Sequence, residues 1–500
     1  MSHKLIQDAL FNAKSVRELD RLAIEDEGIA GIVLMKRAGR AVLQELLELY
    51  GAPSLLSVFC GGGNNGGDGY ILAALAAEKH IPVQVFELSE ELSGDAAIAR
   101  QYAEQAKVMC TAFDSSLDIV EGVIVDSLLG TGYSGQLRPA YAEAIQIIND
   151  SGLPVVAVDI PSGLQADNGA VAELSVQADI TITFIGAKPG LFSGRGPSVC
   201  GEVMYHSLDV PEAIFDQVAP DAELLDLAEL LDYFPQLDVD AHKTQRGHTM
   251  VVGGDRGFGG AAIMAAETSA RLGSGMTSLA TRPEHIDAML VRQPEVMACG
   301  VVSGQDLEPL LERPNVLVVG PGLGRSSWSE QLLQKAVAAQ LPMVLDADGL
   351  NILAEGRVVP NPDGRQWVLT PHCGEAARLL NVTVAEIEAD RFAAVRQLQK
   401  KYAAVVLLKG PGTLIAGPEE IIKVCPYGNP AMATAGMGDI LSGVIGALIA
   451  QGFDLQTAAE LGCCLHSSAA DMAAEELGSR GLVATDILPY LHRLLNQEYL

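Results

Sequence analysis

The feature that most narrows the choice of fold is a rhythm of short aliphatic runs separated by amphipathic stretches. The runs are LLSVF at 55–59, PVQVFEL at 82–88, GVIVDSLLG at 122–130, PVVAVDI at 154–160 and ITITFIG at 180–186. Runs so short and so continuously apolar are strands buried on both faces, which calls for a parallel sheet covered by helices. The rhythm lapses between about Val210 and Val239, where an acidic, proline-containing stretch takes over. It restarts with TMVVGG at 249–254, NVLVVGPGLG at 315–324, PMVLDADGL at 342–350, QWVLTPH at 366–372 and AVVLLKGPGTLIAG at 404–417. The second series does not repeat the first, so the expectation is two different α/β domains, 1–218 and 240–500, with a junction at 219–239. Ahead of the first strand, Leu19, Leu22, Ala23, Ile32, Met35, Ala38, Val42 and Leu46 fall at helical spacing. They predict two helices broken near Gly28 to Gly31.

Charge excludes some functions. Sixty-three acids against thirty-three bases give a net charge of −30 over 500 residues, which repels a nucleic-acid backbone and an anionic membrane alike. A small anionic ligand stays compatible, because a helix start can hold phosphate inside an acidic protein. Eight cysteines without a C-x-x-C pair, with one vicinal pair at Cys463 and Cys464, read as thiols in a reducing compartment and suggest no zinc site. The N-terminus MSHKLIQDALFNAKSV lacks the apolar core of a signal peptide, and the run around Ile440 to Ala450 is too short to span a bilayer. The expected location is the cytoplasm.

After the first strand comes CGGGNNGGDGYILAALAA, a dense glycine and asparagine loop ahead of a helix expected to start near Tyr70. Glycine lets backbone approach a ligand, and free N–H groups at a helix start attract an anion. A glycine-rich turn without a ligand is the plain alternative. Two more strand ends carry acids, Asp126 before LLGTGYSGQL and Asp159 before IPSGL. Ligands of open α/β sheets sit outside the carboxyl ends of strands, so these loops should converge on one crevice, with Asp159 its candidate acid. The bland reading of Asp159 is a turn cap.

These residues resemble a family. NNGGDG at 64–69, GTGYSG at 130–135 and DIPSGL at 159–164 are similar to the NAD(P)H-hydrate epimerases, over roughly the first 215 residues. The resemblance implies a Rossmann-like three-layer domain. It implies that Asn64, Asn65, Gly66, Gly67 and Asp68, with Gly130, Thr131, Gly132, Tyr133, Ser134, Gly135 and Gln136, hold the hydrated dinucleotide. Asp159 is then placed at the reacting ring, and a potassium ion is held by Asn65, Asp126 and Ser162 with backbone carbonyls. A simple hydrogen-bond network among the same three groups is the alternative.

The second half carries its densest signal in YGNPAMATAGMGDILSGVIGALIA at 427–450, where a turn of small residues from Thr434 to Gly438 precedes Asp439 and a long apolar helix. Amides of such a turn can stabilise a phosphoryl group in transfer, with the Asp439 carboxylate near the attacking hydroxyl. Without those glycines Asp439 would read as a complement to the helix dipole. Ribokinase-type small-molecule kinases use similar turns. The loop KGPGT at 409–413 offers glycine backbone to phosphates but is no Walker motif, since its lysine precedes the glycines.

Together with GGDRGFGGAA at 253–262, GPGLG at 320–324, DADGLNILA at 346–354 and TPHCGEAARLL at 370–380, this turn resembles the NAD(P)H-hydrate dehydratases from about Asp240 onward. The resemblance implies a ribokinase-like α/β domain in which Ala261, Gly322, His372 and Asp439 contact the hydrated dinucleotide. Lys409, Gly410, Pro411, Gly412, Thr413 and Gly438 would contact the adenine nucleotide. His372 by itself reads as a structural histidine at a strand end. Cys373 stands where the family usually has proline, and Ala431 where it often has glycine.

The function so implied is repair of hydrated NADH and NADPH by an epimerase fused to a dehydratase that uses ADP and Mg2+, in a homo-oligomer. Asp159 and Asp439 are its catalytic candidates. The rival is a ribokinase-like small-molecule kinase carrying a non-catalytic dinucleotide-binding module.

Overall fold

The computed structural model describes residues 8–89, 91–234, 239–240, 242–359 and 365–497. The first seven residues of the N-terminal segment read above, and 235–238 of the expected junction, lie outside these. The chain divides into two compact units, Met1–Glu223 and Leu224–Leu500.

The N-terminal unit opens with α1 (Ala13–Glu25) and α2 (Gly31–Tyr50), the two helices that the apolar stripe anticipates. Its strands are β1 (Leu56–Cys60), β2 (Val83–Glu87), β3 (Met109–Ala112), β4 (Val123–Ser127), β5 (Val155–Val158), β6 (Ile180–Phe184) and β7 (Glu202–His206). They lie in the order β3-β2-β1-β4-β5-β6-β7, parallel throughout. One core gathers Leu19, Leu22, Met35, Ala38, Val42 and Leu46 against Val58, Val125 and Val156. A second gathers Phe59, Ile124 and Val155 with Ile145 and Ile148. Alternate residues of the same strands thus serve opposite faces, which makes the unit three-layered. The order reverses between β1 and β4, and that neighbour pair is where a doubly wound sheet opens a crevice.

One boundary differs from expectation. The helix after β1, α3 (Asn64–Glu78), begins at Asn64 and not near Tyr70, so NNGGDG is its first turns. Glycine is a poor helix former, and packing overrides that preference here. A Cβ at Gly66 would lie 2.0 Å from the Gly61 carbonyl oxygen, and one at Gly67 2.6 Å from the Met35 sulfur. Edge strands β3 and β7 escaped the reading because their side chains are partly exposed and break the apolar run.

In the C-terminal unit a short helix, α4 (Leu227–Leu231), is capped by Asp226 and buries Leu227, Leu230 and Leu231 in the core, so this part of the acidic stretch is core rather than linker. The strands are β8 (His248–Val252), β9 (Met276–Thr281), β10 (Met297–Gly300), β11 (Val316–Val319), β12 (Met343–Leu345), β13 (Trp367–Leu369), β14 (Val405–Leu408), β15 (Thr413–Ala416) and β16 (Ile422–Cys425). They run β16-β15-β14-β13-β12-β11-β8-β9-β10, parallel from β10 to β14 and antiparallel through β15 and β16. KGPGT is therefore a hairpin turn. The long helices α5 (Gly259–Arg271), α6 (Met437–Ala450) and α7 (Leu455–Leu477) close over Val251, Val318, Val344 and Leu407. No helix among the described residues is long and apolar enough to cross a membrane, and all eight cysteines are free thiols.

Gly66→Ala places a methyl group against backbone that cannot rotate away. It should lower the stability of the N-terminal unit by about 1–3 kcal/mol, read as the shift of its urea unfolding midpoint.

Candidate active sites

At the carboxyl ends of β1 and β4 lies a cavity of about 840 Å³. Asn64, Asn65 and Asp68 of α3, the loop residues Gly130, Thr131, Gly132, Tyr133, Ser134 and Gln136, and Asp159 all line it. Gly66, Gly67 and Gly135 are not among the lining residues; the first two serve helix packing.

Asp159 follows β5 with φ at +68°, a conformation that side chains other than glycine seldom adopt. Its amide donates to the Ile182 carbonyl at 2.7 Å, which fixes the backbone. Its Oδ1 accepts from the Phe184 amide and the Thr183 hydroxyl, both at 3.3 Å, and from the Lys188 ammonium. Lys188 is 1% exposed in its side chain and also donates to Thr183 Oγ1 at 2.9 Å and the Phe184 carbonyl at 3.2 Å. A buried ammonium needs such partners. Sequence reasoning missed Lys188, although it stands in the loop after β6, at the kind of strand end that marked Asp126 and Asp159.

Four further carboxyls line the cavity, Asp68, Glu91, Asp95 and, from α1, Asp20. Burial, with the charges of Asp159 and Asp20, pushes Asp68 far above the usual carboxylate range against the pull of Lys188. Burial raises Asp20 to about 6, Lys188 opposing and Asp159 adding to the shift.

Asn65 is linked to the bonded pair Ser162 and Asp126 through Leu129. Ser162 donates to Asp126 through its amide at 2.7 Å and its hydroxyl at 2.6 Å, and the Asn65 amide nitrogen reaches the Leu129 carbonyl at 3.0 Å. Leu129 in turn donates its own N–H to Ser162 Oγ at 2.9 Å. Asn65 Oδ1 is buried without a hydrogen-bond partner. A buried carbonyl-type oxygen without a partner, one residue removed from a buried carboxylate and a hydroxyl, is the kind of oxygen donor a hard cation takes.

In the C-terminal unit, Gly436 at φ +97° turns the chain into α6, leaving Gly438 and Asp439 in its first turn. Burial and the nearby Asp346 carboxylate raise Asp439 to about 7, with Lys409 opposing. Asp346 directly follows β12 and is 1% exposed. It accepts from Thr370 Oγ1 and Lys409 Nζ, each at 2.8 Å, and from Ser442 Oγ at 2.9 Å. A Cβ on Gly438 would stand 3.2 Å from Lys409 Nζ and 3.6 Å from Asp346 Oδ2, so a fixed cation lies behind the turn whose amides were expected to meet phosphate. Asp346 was not singled out from sequence. Its signal was its place after the aliphatic run VL.

The turn Gly410 to Thr413 is pinned by Arg391, which is buried and donates to the carbonyls of Pro411, Gly412 and Leu408. Arg391 sits on a helix far from any motif and carried no sequence signal. Gly322, at φ +57°, brings a would-be Cβ within 3.2 Å of the Ala261 Cβ, so these two loops meet as expected. His372 caps the helix Cys373–Leu380: its Nδ1 accepts from the Gly374 amide at 2.9 Å, and its own amide donates to Glu375 at 2.9 Å. The ring is half exposed, and burial together with Lys409 lowers its proton affinity. Cys373 is the first residue of that helix, a position that proline and other residues fill equally well.

Comparison with known proteins accounts for both units. Residues 31–190 match the family model described as YjeF-related protein N-terminus. Residues 249–493 match the one described as NAD(P)H-hydrate dehydratase. A Coxiella burnetii protein named bifunctional NAD(P)H-hydrate repair enzyme Nnr is 46% identical over 490 residues, covering 97% of this chain and 99% of that one. Its Escherichia coli namesake is 39% identical over 498 residues, covering 99% and 95%. Among solved structures, a Streptococcus mutans protein described as hypothetical aligns with TM-score 0.50 and 27% identity over 55% of this chain and 99% of its own.

Asp439 holds its proton to about 7 in the folded chain against 3.8 as the ordinary value. Ionising it therefore costs the folded state more than the unfolded one, and stability falls as pH rises through that window. Asp439→Asn should gain on the order of 2 kcal/mol near pH ~8 and progressively less toward pH ~4, measured by urea unfolding of the C-terminal unit.

Proposed function

The chain belongs to the bifunctional NAD(P)H-hydrate repair enzymes, and on that premise we propose how its residues divide the work. The enzyme pairs an NAD(P)H-hydrate epimerase in the Rossmann-like N-terminal unit with a nucleotide-dependent NAD(P)H-hydrate dehydratase in the ribokinase-like C-terminal unit. A kinase joined to a passive binding module does not fit relatives that match both halves along nearly their whole length.

The N-terminal cavity takes hydrated NADH or NADPH. Asn64 and the Gly130–Gln136 loop hold the diphosphate and ribose side, and Asp159, steadied by Lys188, faces the nicotinamide ring. Asn65, Asp126 and Ser162 are the residues that would hold potassium, and the orphaned Asn65 oxygen supports that reading. A bound potassium ion would supply fixed positive charge beside the glycine loop.

In the C-terminal site, Asp439 takes the proton of the C6 hydroxyl as that oxygen attacks the terminal phosphoryl group of ADP. The Gly438 amide, with Lys409 behind it, stabilises the charge on the phosphoryl oxygens; the N1 lone pair then expels phosphate from C6, and loss of a C5 proton to solvent restores the C5=C6 double bond of the dihydropyridine. The Gly410–Thr413 turn, pinned by Arg391, and the meeting point of Ala261 and Gly322 supply nucleotide and dinucleotide contacts, with His372 at the rim. Magnesium is assigned to the nucleotide's own phosphates, where it would neutralise their charge. Free thiols throughout support a cytoplasmic location, and the same proposal includes association of copies into a homo-oligomer.

The observation that carries the dehydratase assignment is Asp439 at a helix start, poised near neutral pH beside the Lys409–Asp346 pair. Hydrated NADH, ADP and Mg2+ with the purified chain should return the reduced-nicotinamide absorbance, and Asp439→Asn should slow this by roughly 100-fold or more. A stable phosphate ester formed from ATP and an alcohol, with hydrated NADH untouched, would overturn the reading. The rate should fall as pH drops through about 7, because the base must be ionised. Asp346→Asn removes the facing negative charge and frees Lys409, so a pH–rate profile of that variant should show the acid limb moved to lower pH.

A further inference from the structure

Epimerisation at C6 needs two proton carriers, and the cavity offers one that no motif includes. We propose that Asp20 is the second catalytic carboxyl of the epimerase half, protonating the departing C6 hydroxyl while Asp159 receives a proton from the water that returns on the other face. This rests on the epimerase reading above.

The geometry begins with α1, which precedes the 31–190 segment matched by the family model. The helix is clamped at its start. Asn12 caps it by accepting from the Lys14 and Ser15 amides at 2.8 and 2.9 Å. The Asn12 amide and side chain both donate to Asp221, and the Ala13 amide donates to Asp167 at 2.7 Å. Held so, one helical stripe, Val16, Asp20 and Ile24, lines the cavity together with Arg17. Asp20 enters from α1 and Asp159 from the end of β5, so the two carboxyls come from different elements.

Their surroundings assign opposite roles. Asp159 Oδ1 is an acceptor for Lys188, Thr183 and the Phe184 amide. Burial keeps Asp20 at about 6, so a useful fraction carries a proton near neutrality, as a general acid requires. The other charged residues around the cavity are Arg17, Asp68, Glu91, Asp95, Arg138 and Lys188.

The chemistry balances. The hydrated ring is a hemiaminal, with the C6 hydroxyl on the carbon bonded to N1. The N1 lone pair forms N1=C6 as the C6–O bond breaks, and the Asp20 proton leaves with that oxygen as water. A water molecule then adds to the opposite face of C6, the N1=C6 electron pair returns to N1, and Asp159 takes the proton released. Asp20 ends ionised and Asp159 protonated, which is the pair that drives the reverse inversion; exchange with solvent resets it. No oxidant or reductant is involved.

The test follows epimer exchange in the full chain without nucleotide, in ¹⁸O-labelled water, separating the epimers chromatographically. Asp20→Asn should lower kcat for exchange roughly 100-fold or more with KM little changed, and Asp20→Glu should recover part of it. Each inversion by the unaltered chain should carry one solvent oxygen into C6. Full exchange by Asp20→Asn overturns the role of Asp20, as does a loss that appears in KM alone. Exchange by the unaltered chain without label overturns the C–O cleavage route. No exchange above the spontaneous rate by the unaltered chain overturns the epimerase reading itself.

Discussion

A carboxylate at the carboxyl end of a buried parallel strand loses water to the sheet and to the helices that cover it. It must then find protein donors or keep its proton. Asp126, Asp159 and Asp346 all stand at such ends, and each is met by donors: Ser162, Lys188 with Thr183, and Lys409 with Thr370 and Ser442. Burial raises the pKa values of Asp20, Asp68 and Asp439, and the charge of Asp159 or Asp346 adds to the shift while Lys188 or Lys409 opposes it.

The two units thus use one device for two chemistries. In the N-terminal unit a lysine holds the strand-end acid inside the ligand cavity, which suits proton traffic on both faces of a ring. In the C-terminal unit the lysine stands behind a helix start, where positive charge and backbone amides suit a phosphoryl group. Glycine matters in both for close approach of backbone, as at Gly66 against Gly61 and at Gly322 against Phe258.

Much of this was legible in the sequence. Continuous aliphatic runs marked most of the buried strands, and acids directly after them marked Asp126 and Asp159. What escaped was of two kinds. Some strands carry no continuous run: edge strands such as β3 and β7 are half exposed, and the buried β9 is interrupted by Thr277 and Ser278. Asp20, Lys188 and Arg391 act through tertiary placement: Arg391 is an ordinary helix residue until the fold sets it against the carbonyls of Pro411 and Gly412. NNGGDG read as loop because glycine disfavours helix, yet packing against Gly61 and Met35 is what makes those glycines helical. The family resemblance supplied residue roles that spacing by itself left open, and His372 shows the limit of such transfer, since its ring also caps a helix.

The central claim is that each unit has its own acid and its own reaction. The most direct measurement gives Asp159→Asn an equimolar mixture of the two epimers of hydrated NADH with excess ADP and Mg2+, and follows NADH to completion. Separate sites predict a fast return of about half the cofactor, with the remaining epimer consumed only at its spontaneous rate of inversion. Fast and complete recovery would contradict the account.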